Sequence, residues 1–187
     1  MVLVFLADGM EEIEALTQVD VLRRAGVEVT TCAVDHWRRE DPVVGSHDIA
    51  IMADMTLYDA WMKFGGEKLD MIVLPGGMPG TTNLDECELV DRFLKKAEKD
   101  GTILAAICAA PMVLGKRGLL AGKRAACYPG YEKDLKDAVI TGGRVESDGN
   151  RITGCGMGAS TEFALALCAA LKGEEAAEKL RLAILAK

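Results

Sequence analysis

The sequence predicts one doubly wound α/β domain, a mainly parallel sheet with helices on both faces. Two observations carry that expectation. Near-continuous apolar runs recur at residues 2–7, 27–34, 69–74 and 102–108, as parallel strands buried on both faces require. Stretches of helical length separate most of them, so strand and helix alternate along the chain. With 187 residues, 50% apolar and 27% charged, one core can fill it. No repeat, linker or low-complexity segment divides it, so residues 1–187 read as a single domain.

The elements follow in order. "VLVFLA" (2–7) is a buried strand with Asp8 and Gly9 behind it. "MEEIEALTQVDVLRRAG" (10–26) places Ile13, Leu16, Val19, Val21 and Leu22 at helical spacing, with acidic residues in its first turn and Gly26 as its stop. "VEVTTCAV" (27–34) is a β-branched strand. Short alternating pieces around Gly45 and Ser46 predict a small hairpin within residues 36–52. "LDMIVLPGG" (69–77) is a strand running into a turn. Residues 84–101 read as one amphipathic helix closed by Gly101. "TILAAIC" (102–108) is the next strand, followed by a helix over 109–116. Residues 123–155 read as short strands, with "SDGN" (147–150) as a hairpin turn. Helices over 158–173 and 174–186 complete the chain.

Charge and composition narrow the function. A net charge of −7 excludes the basic face that nucleic acid or an anionic membrane needs. The longest apolar runs, 103–110 and 163–171, are too short to span a bilayer. "MVLVFLADG" lacks a basic leader region, so a cytoplasmic location with reduced thiols is expected. The six cysteines show no CxxC spacing and the only histidines are His36 and His47, so no metal site is expected. Most of these thiols should be small buried hydrophobes.

In a doubly wound sheet, ligands bind at the carboxyl ends of the strands. Those ends hold "DGMEEIE", "PGGMPG" and "CAAP". Cys108 ends a strand and precedes a helix, the geometry of a nucleophile elbow. Ala109 and Ala110 permit a tight turn, and Pro111 suits a first helical turn. A helix N-terminus would lower the thiol pKa. On local sequence alone, a buried structural cysteine fits as well. Gly76 and Gly77 leave backbone N–H groups exposed for an oxyanion pocket, or are a simple turn. Glu11 and Glu12 read as solvated residues complementing the helix dipole. Glu14 points towards the sheet's carboxyl edge, where burial beside a thiol would raise its pKa and let it move a proton.

Four segments, "VFLADGMEEIEALTQVDVLRRAGVEVT", "DMIVLPGGMPG", "ILAAICAAP" and "GNRITGCGMGASTEFALALCAAL", together resemble the ThiJ/PfpI superfamily, closest to its Parkinsonism-associated deglycase branch. They span residues 2 to about 172. The resemblance implies a flavodoxin-like fold. It implies that Cys108 is the oxidisable nucleophile, Glu14 the protonated acid on its sulfur, and Gly76 and Gly77 the adjacent backbone donors. The loop from Gly156 through Met157 to Ser160 would line the pocket. "HDIAIMAD" resembles a dimer-interface segment, so a homodimer is expected, with His47 where relatives often place an arginine across that interface.

The chain also departs from the pattern. Ala109 stands where protease-like members carry a histidine, and Tyr128 stands where the deglycase branch carries one. A Cys–His protease pair is therefore poorly supported. Tyr128 is either a helper in proton transfer or a packing wall.

Three functions remain open. The first is a cofactor-free glyoxalase or deglycase acting on methylglyoxal, glyoxal or their adducts on thiols and amines, with Gly77 and Ala109 amides on the oxyanion. The second is a redox-responsive stress or chaperone protein acting through oxidation of Cys108, with Cys155 as a possible resolving thiol. The third, a role in thiamine-precursor metabolism, has no phosphate loop to support it. FMN is not expected either, because the first loop is acidic where a phosphate needs donors.

Overall fold

The computed structural model describes residues 1–186. The chain begins β1 (Val2–Leu6), α1 (Glu12–Arg24), β2 (Val29–Ala33), β3 (Val43–Val44), β4 (Ala50–Ile51) and β5 (Met55–Thr56). It continues α2 (Leu57–Phe64), β6 (Met71–Leu74), α3 (Gly80–Glu86), α4 (Glu88–Asp100), β7 (Ile103–Ile107) and α5 (Pro111–Lys116). β8 (Arg124–Ala125), β9 (Val139–Ile140), β10 (Val145–Asp148), β11 (Arg151–Gly154), α6 (Ser160–Lys172) and α7 (Glu174–Ala183) complete it. The main sheet has seven strands in the order β10-β11-β7-β6-β1-β2-β5, parallel except for the β10–β11 hairpin. The doubly wound α/β expectation is met.

The apolar runs feed two cores at once. Along β1, Leu3 and Phe5 enter a layer with Phe64, Phe93 and Leu94 of α2 and α4. Val2, Val4 and Leu6 enter the opposite layer with Ala15 and Leu22 of α1 and Phe163 and Leu167 of α6. Both faces are covered, so every residue of β1 is apolar and alternation is lost. The chain winds from β1 to β2 on one side and then crosses back to β6 on the other. Its topological switch therefore lies between β1 and β6.

Several expectations need correction. The buried face of α1 is Glu14, Ala15, Gln18, Val19, Val21 and Leu22, while Ile13 (49% exposed) and Leu16 (41% exposed) face outward. The apolar spacing was real, but it marks two faces. Residues 84–101 form two helices rather than one, because Cys87 is extended (φ −76°, ψ 119°) between α3 and α4. Helix α2 was not anticipated. Thr56 starts it by accepting a hydrogen bond from the Asp59 N–H at Oγ1 (3.0 Å). The hairpin within 36–52 is present as β3–β4, and "SDGN" turns β10 into β11.

Candidate active site

β7, β6 and β1 are adjacent and parallel, so their carboxyl ends converge beside the switch. That convergence brings together Cys108 after β7, Gly76 and Gly77 after β6, and Glu14 in the first turn of α1.

Cys108 has φ 65°, a left-handed conformation that costs a non-glycine residue about 1–3 kcal/mol. The surroundings enforce it. Its N–H donates to the Gly154 carbonyl (2.9 Å), and its carbonyl accepts from the Tyr128 N–H (2.8 Å). The thiol is half-buried and lies against the α1–α6 core layer. The elbow expected from "ICAAP" is thus present.

The expected lowering of the thiol pKa is not. Burial pushes Cys108 up to about 12, joined by the Glu14 charge and a hydrogen bond with Glu14. The Gly77 and Ala109 N–H groups pull the other way by favouring thiolate. α5 is only six residues long, and its amino end does not outweigh burial of the thiol and the Glu14 charge.

Glu14 is fully buried. Its Oε2 accepts from the Gly76 N–H (3.0 Å), while Oε1 has no hydrogen-bond partner of normal geometry. Burial raises its pKa to about 7 and the Glu11 charge adds to the rise, against the opposing pull of Cys108 and the Gly76 N–H. Thiol and carboxyl therefore titrate as a pair. Passing the thiol proton to Glu14 gives a thiolate backed by Gly77 and Ala109 donors, next to a neutral acid able to return the proton.

Close packing explains the glycines. A Cβ at Gly76 would sit 2.5 Å from Glu14 Oε2 and 2.6 Å from Cys108 Cβ. One at Gly77 (φ 87°) would sit 2.2 Å from the Glu11 backbone nitrogen. The role expected for Gly76 needs correction, since its N–H is committed to Glu14. Gly77 and Ala109 are the donors that face sulfur.

Tyr128 and Gly156 form the next wall. A Cβ at Gly156 would lie 3.3 Å from the Tyr128 ring and 3.9 Å from Cys108 Sγ. Tyr128 and Met157 are each 51% exposed and line a cleft of about 480 Å³. A cleft of the same volume lies at the other end of the sheet, around Gly26, Asp70 and Gly101, and holds none of these groups.

His47 packs on its own chain. Its Nδ1 is 2.9 Å from Glu12 Oε2 and 3.7 Å from Glu11 Oε2, and its N–H donates to Glu12 Oε1 (2.8 Å). Glu12 is accordingly buried, correcting the expectation of a solvated residue. Burial alone would raise its pKa, but hydrogen bonds from the His47 ring and backbone hold it at about 2. The His47 pKa is raised by its bond to Glu12 and by the charges of Glu11 and Glu12. Glu11, Glu12 and His47 place three donor atoms within 4.8 Å of one another, a grouping no local spacing announces because the hairpin delivers His47. His36 lies on Asp8 (3.2 Å).

Comparison with known proteins identifies the family. Residues 1–170 match the DJ-1/PfpI family. Protein DJ-1 homolog B of Arabidopsis thaliana is 40% identical over 94% of this chain, although the chain spans only 39% of that longer protein. A Caenorhabditis elegans protein named glutathione-independent glyoxalase DJR-1.2 is 34% identical over 92% of this chain and 89% of its own length. The solved structure of oxidized Toxoplasma gondii DJ-1 superposes with a TM-score of 0.90 at 34% identity, covering 98% of this chain and 97% of its own. By sequence match and by fold, this chain belongs to the DJ-1/PfpI family.

Proposed function

We propose that this chain is a cofactor-free, cysteine-dependent glyoxalase or deglycase acting on small reactive aldehydes such as methylglyoxal, or on their adducts. The supporting observation is Cys108 on a strained elbow beside a fully buried Glu14 whose pKa is raised to about 7. A group near neutrality can both take and give a proton at working pH. The name of the Caenorhabditis elegans relative supports the same reading.

The steps balance without an outside oxidant. Glu14 takes the Cys108 proton, and the thiolate adds to the aldehyde carbon to give a hemithioacetal. Gly77 and Ala109 N–H groups steady the oxyanion until Glu14 protonates it. Glu14 then carries the proton on that carbon to the neighbouring ketone carbon through an enediol, while the hydroxyl proton of the first carbon passes to the ketone oxygen. The aldehyde carbon is oxidised to a thioester while the ketone is reduced to an alcohol. Water hydrolyses the thioester to lactate and frees Cys108. Tyr128, in place of a histidine, serves as a half-exposed wall. Metal-stripped protein converting methylglyoxal to lactate, with Cys108→Ser inactive, tests this reading.

A second reading rests on the same thiol. Two equivalents of peroxide would take Cys108 to a sulfinic acid with loss of water, held by a hydrogen bond from protonated Glu14. The oxidized state named for the Toxoplasma gondii relative supports it.

We further propose a homodimer in the cytoplasm. Ile13 and Leu16 on α1 are exposed, as are Val44, Ile49 and Met52 in and next to the β3–β4 hairpin, and the hairpin is tied to α1 by the His47 N–H donating to Glu12 Oε1 (2.8 Å). A second copy would cover this apolar face and bring His47 near the partner's site. No helix among the described residues is long and apolar enough to cross a membrane.

A further inference from the structure

We propose that the cleft behind Tyr128 and Gly156 is a side-chain subsite selecting 2-oxoaldehydes with a bulky, uncharged apolar substituent over methylglyoxal and over anionic thiol conjugates. This proposal rests on the glyoxalase reading above and names the substrate class of that site.

Position comes first. The Gly156 position touches both the Cys108 sulfur, 3.9 Å from a Cβ built there, and the Tyr128 ring at 3.3 Å. Gly156 and Tyr128 line the cleft, and Cys108 lies just outside it, across Gly156. An aldehyde held on Cys108 would reach the cleft past Gly156, the lining residue next to the sulfur. The glycine keeps that path clear, since any side chain at 156 would stand between sulfur and ring.

Size comes second. The cleft holds about 480 Å³, within the roughly 300–1,000 Å³ of sites that bury whole small ligands. The single methyl group of methylglyoxal leaves most of it unused.

Chemistry comes third. Ile140, Met157, Pro129 and the Tyr128 ring supply apolar surface, and Ile140 is 40% exposed. Glu132 is the one charged residue lining the cleft among the described residues, and its Oε2 accepts from the Gly130 N–H (2.7 Å). No lysine or arginine lines it to meet the carboxylates of a peptide thiol conjugate. Arg144, beside Cys155, is engaged by Glu162 (2.7 Å) and by the Gly158 carbonyl (2.6 Å). An aryl or branched alkyl group fits this lining, and an anion does not.

The test compares kcat/KM for phenylglyoxal, methylglyoxal and the glutathione hemithioacetal of methylglyoxal, measured as the hydroxy acid released. Even one added methylene in an apolar pocket is worth about 10-fold or more, so phenylglyoxal should lead methylglyoxal by at least about 10-fold. Ile140→Asp should collapse that ratio. In parallel, mass spectrometry follows alkylation of Cys108 by 2-bromoacetophenone and by bromoacetone, each relative to a free thiol. The aryl reagent should hold an advantage of about 10-fold, and Ile140→Asp should lose it. Turnover of methylglyoxal with no aryl preference in either assay overturns the subsite alone. Aryl-selective labelling without turnover of any aldehyde overturns the glyoxalase reading and leaves the subsite standing. An aryl preference that survives Ile140→Asp places selectivity elsewhere and overturns the proposal.

Discussion

Replacing Glu14 with glutamine should make the protein more stable at alkaline pH and far less active. The carboxyl is fully buried, and its pKa rises from an ordinary 4.5 to about 7, with burial as the largest cause. Between those values the folded chain holds a proton that the unfolded chain has released. Stability from this group is therefore fully present below pH 4.5 and is lost as pH rises through about 7. At about 1.4 kcal/mol per pH unit, the loss is about 3 kcal/mol. Glutamine keeps the shape and cannot ionise. Urea unfolding of both proteins at pH 5 and pH 8 measures the effect, since titrating groups remote from Glu14 cancel in the difference, and Cys108 stays protonated at both values. Because pH 5 already lies above 4.5, Glu14→Gln should gain about 2.5 kcal/mol on wild type between the two conditions. Proton transfer by a placed acid or base is worth about 100- to 10,000-fold, so turnover should fall by that factor. An identical stability difference at both pH values would refute a titrating, buried Glu14.

Three further perturbations read other parts of the site. Gly76→Ala puts a Cβ 2.5 Å from Glu14 Oε2 and 2.8 Å from the Ile107 carbonyl. It should cost about 1–3 kcal/mol in chemical denaturation, whereas Gly66→Ala, which meets nothing within 4 Å, should cost far less. His47 should titrate above its ordinary 6.5 in an NMR experiment and return towards it in Glu12→Gln, since the Glu12 bond is the main cause of the rise. Stability from His47 is present below 6.5 and is lost as pH rises through the raised value, whereas stability from Glu12 is lost as pH falls from 4.5 through about 2. Leu16→Glu should yield a monomer in sedimentation at micromolar concentration, and an unchanged dimer would place the interface elsewhere.

The central strands were legible because burial on both faces writes itself as unbroken apolar sequence, as in Val2–Leu6 and Ile103–Ile107. The Cys108 elbow was legible because a strand, two alanines and a proline leave the chain few other paths. The direction of the thiol pKa was not, because it depends first on how deeply the sulfur is buried and then on a carboxylate brought from a different strand end. The same limit hid the Glu12–His47 bond, whose partners are 35 residues apart in sequence. Ile13 and Leu16 misled for a related reason. An apolar residue on a helix may face a core or a partner surface, and spacing does not distinguish the two. α2 went unread because its start depends on the Thr56 side chain capping the Asp59 N–H.

Conversion of methylglyoxal to lactate by purified, metal-stripped protein bears most directly on the central claim. It should be run beside Cys108→Ser, in protein shown by mass spectrometry to carry reduced Cys108. The Cys108–Glu14 pair predicts lactate from wild type and none above background from Cys108→Ser. Equal lactate from both proteins, or none from reduced wild type, would contradict it.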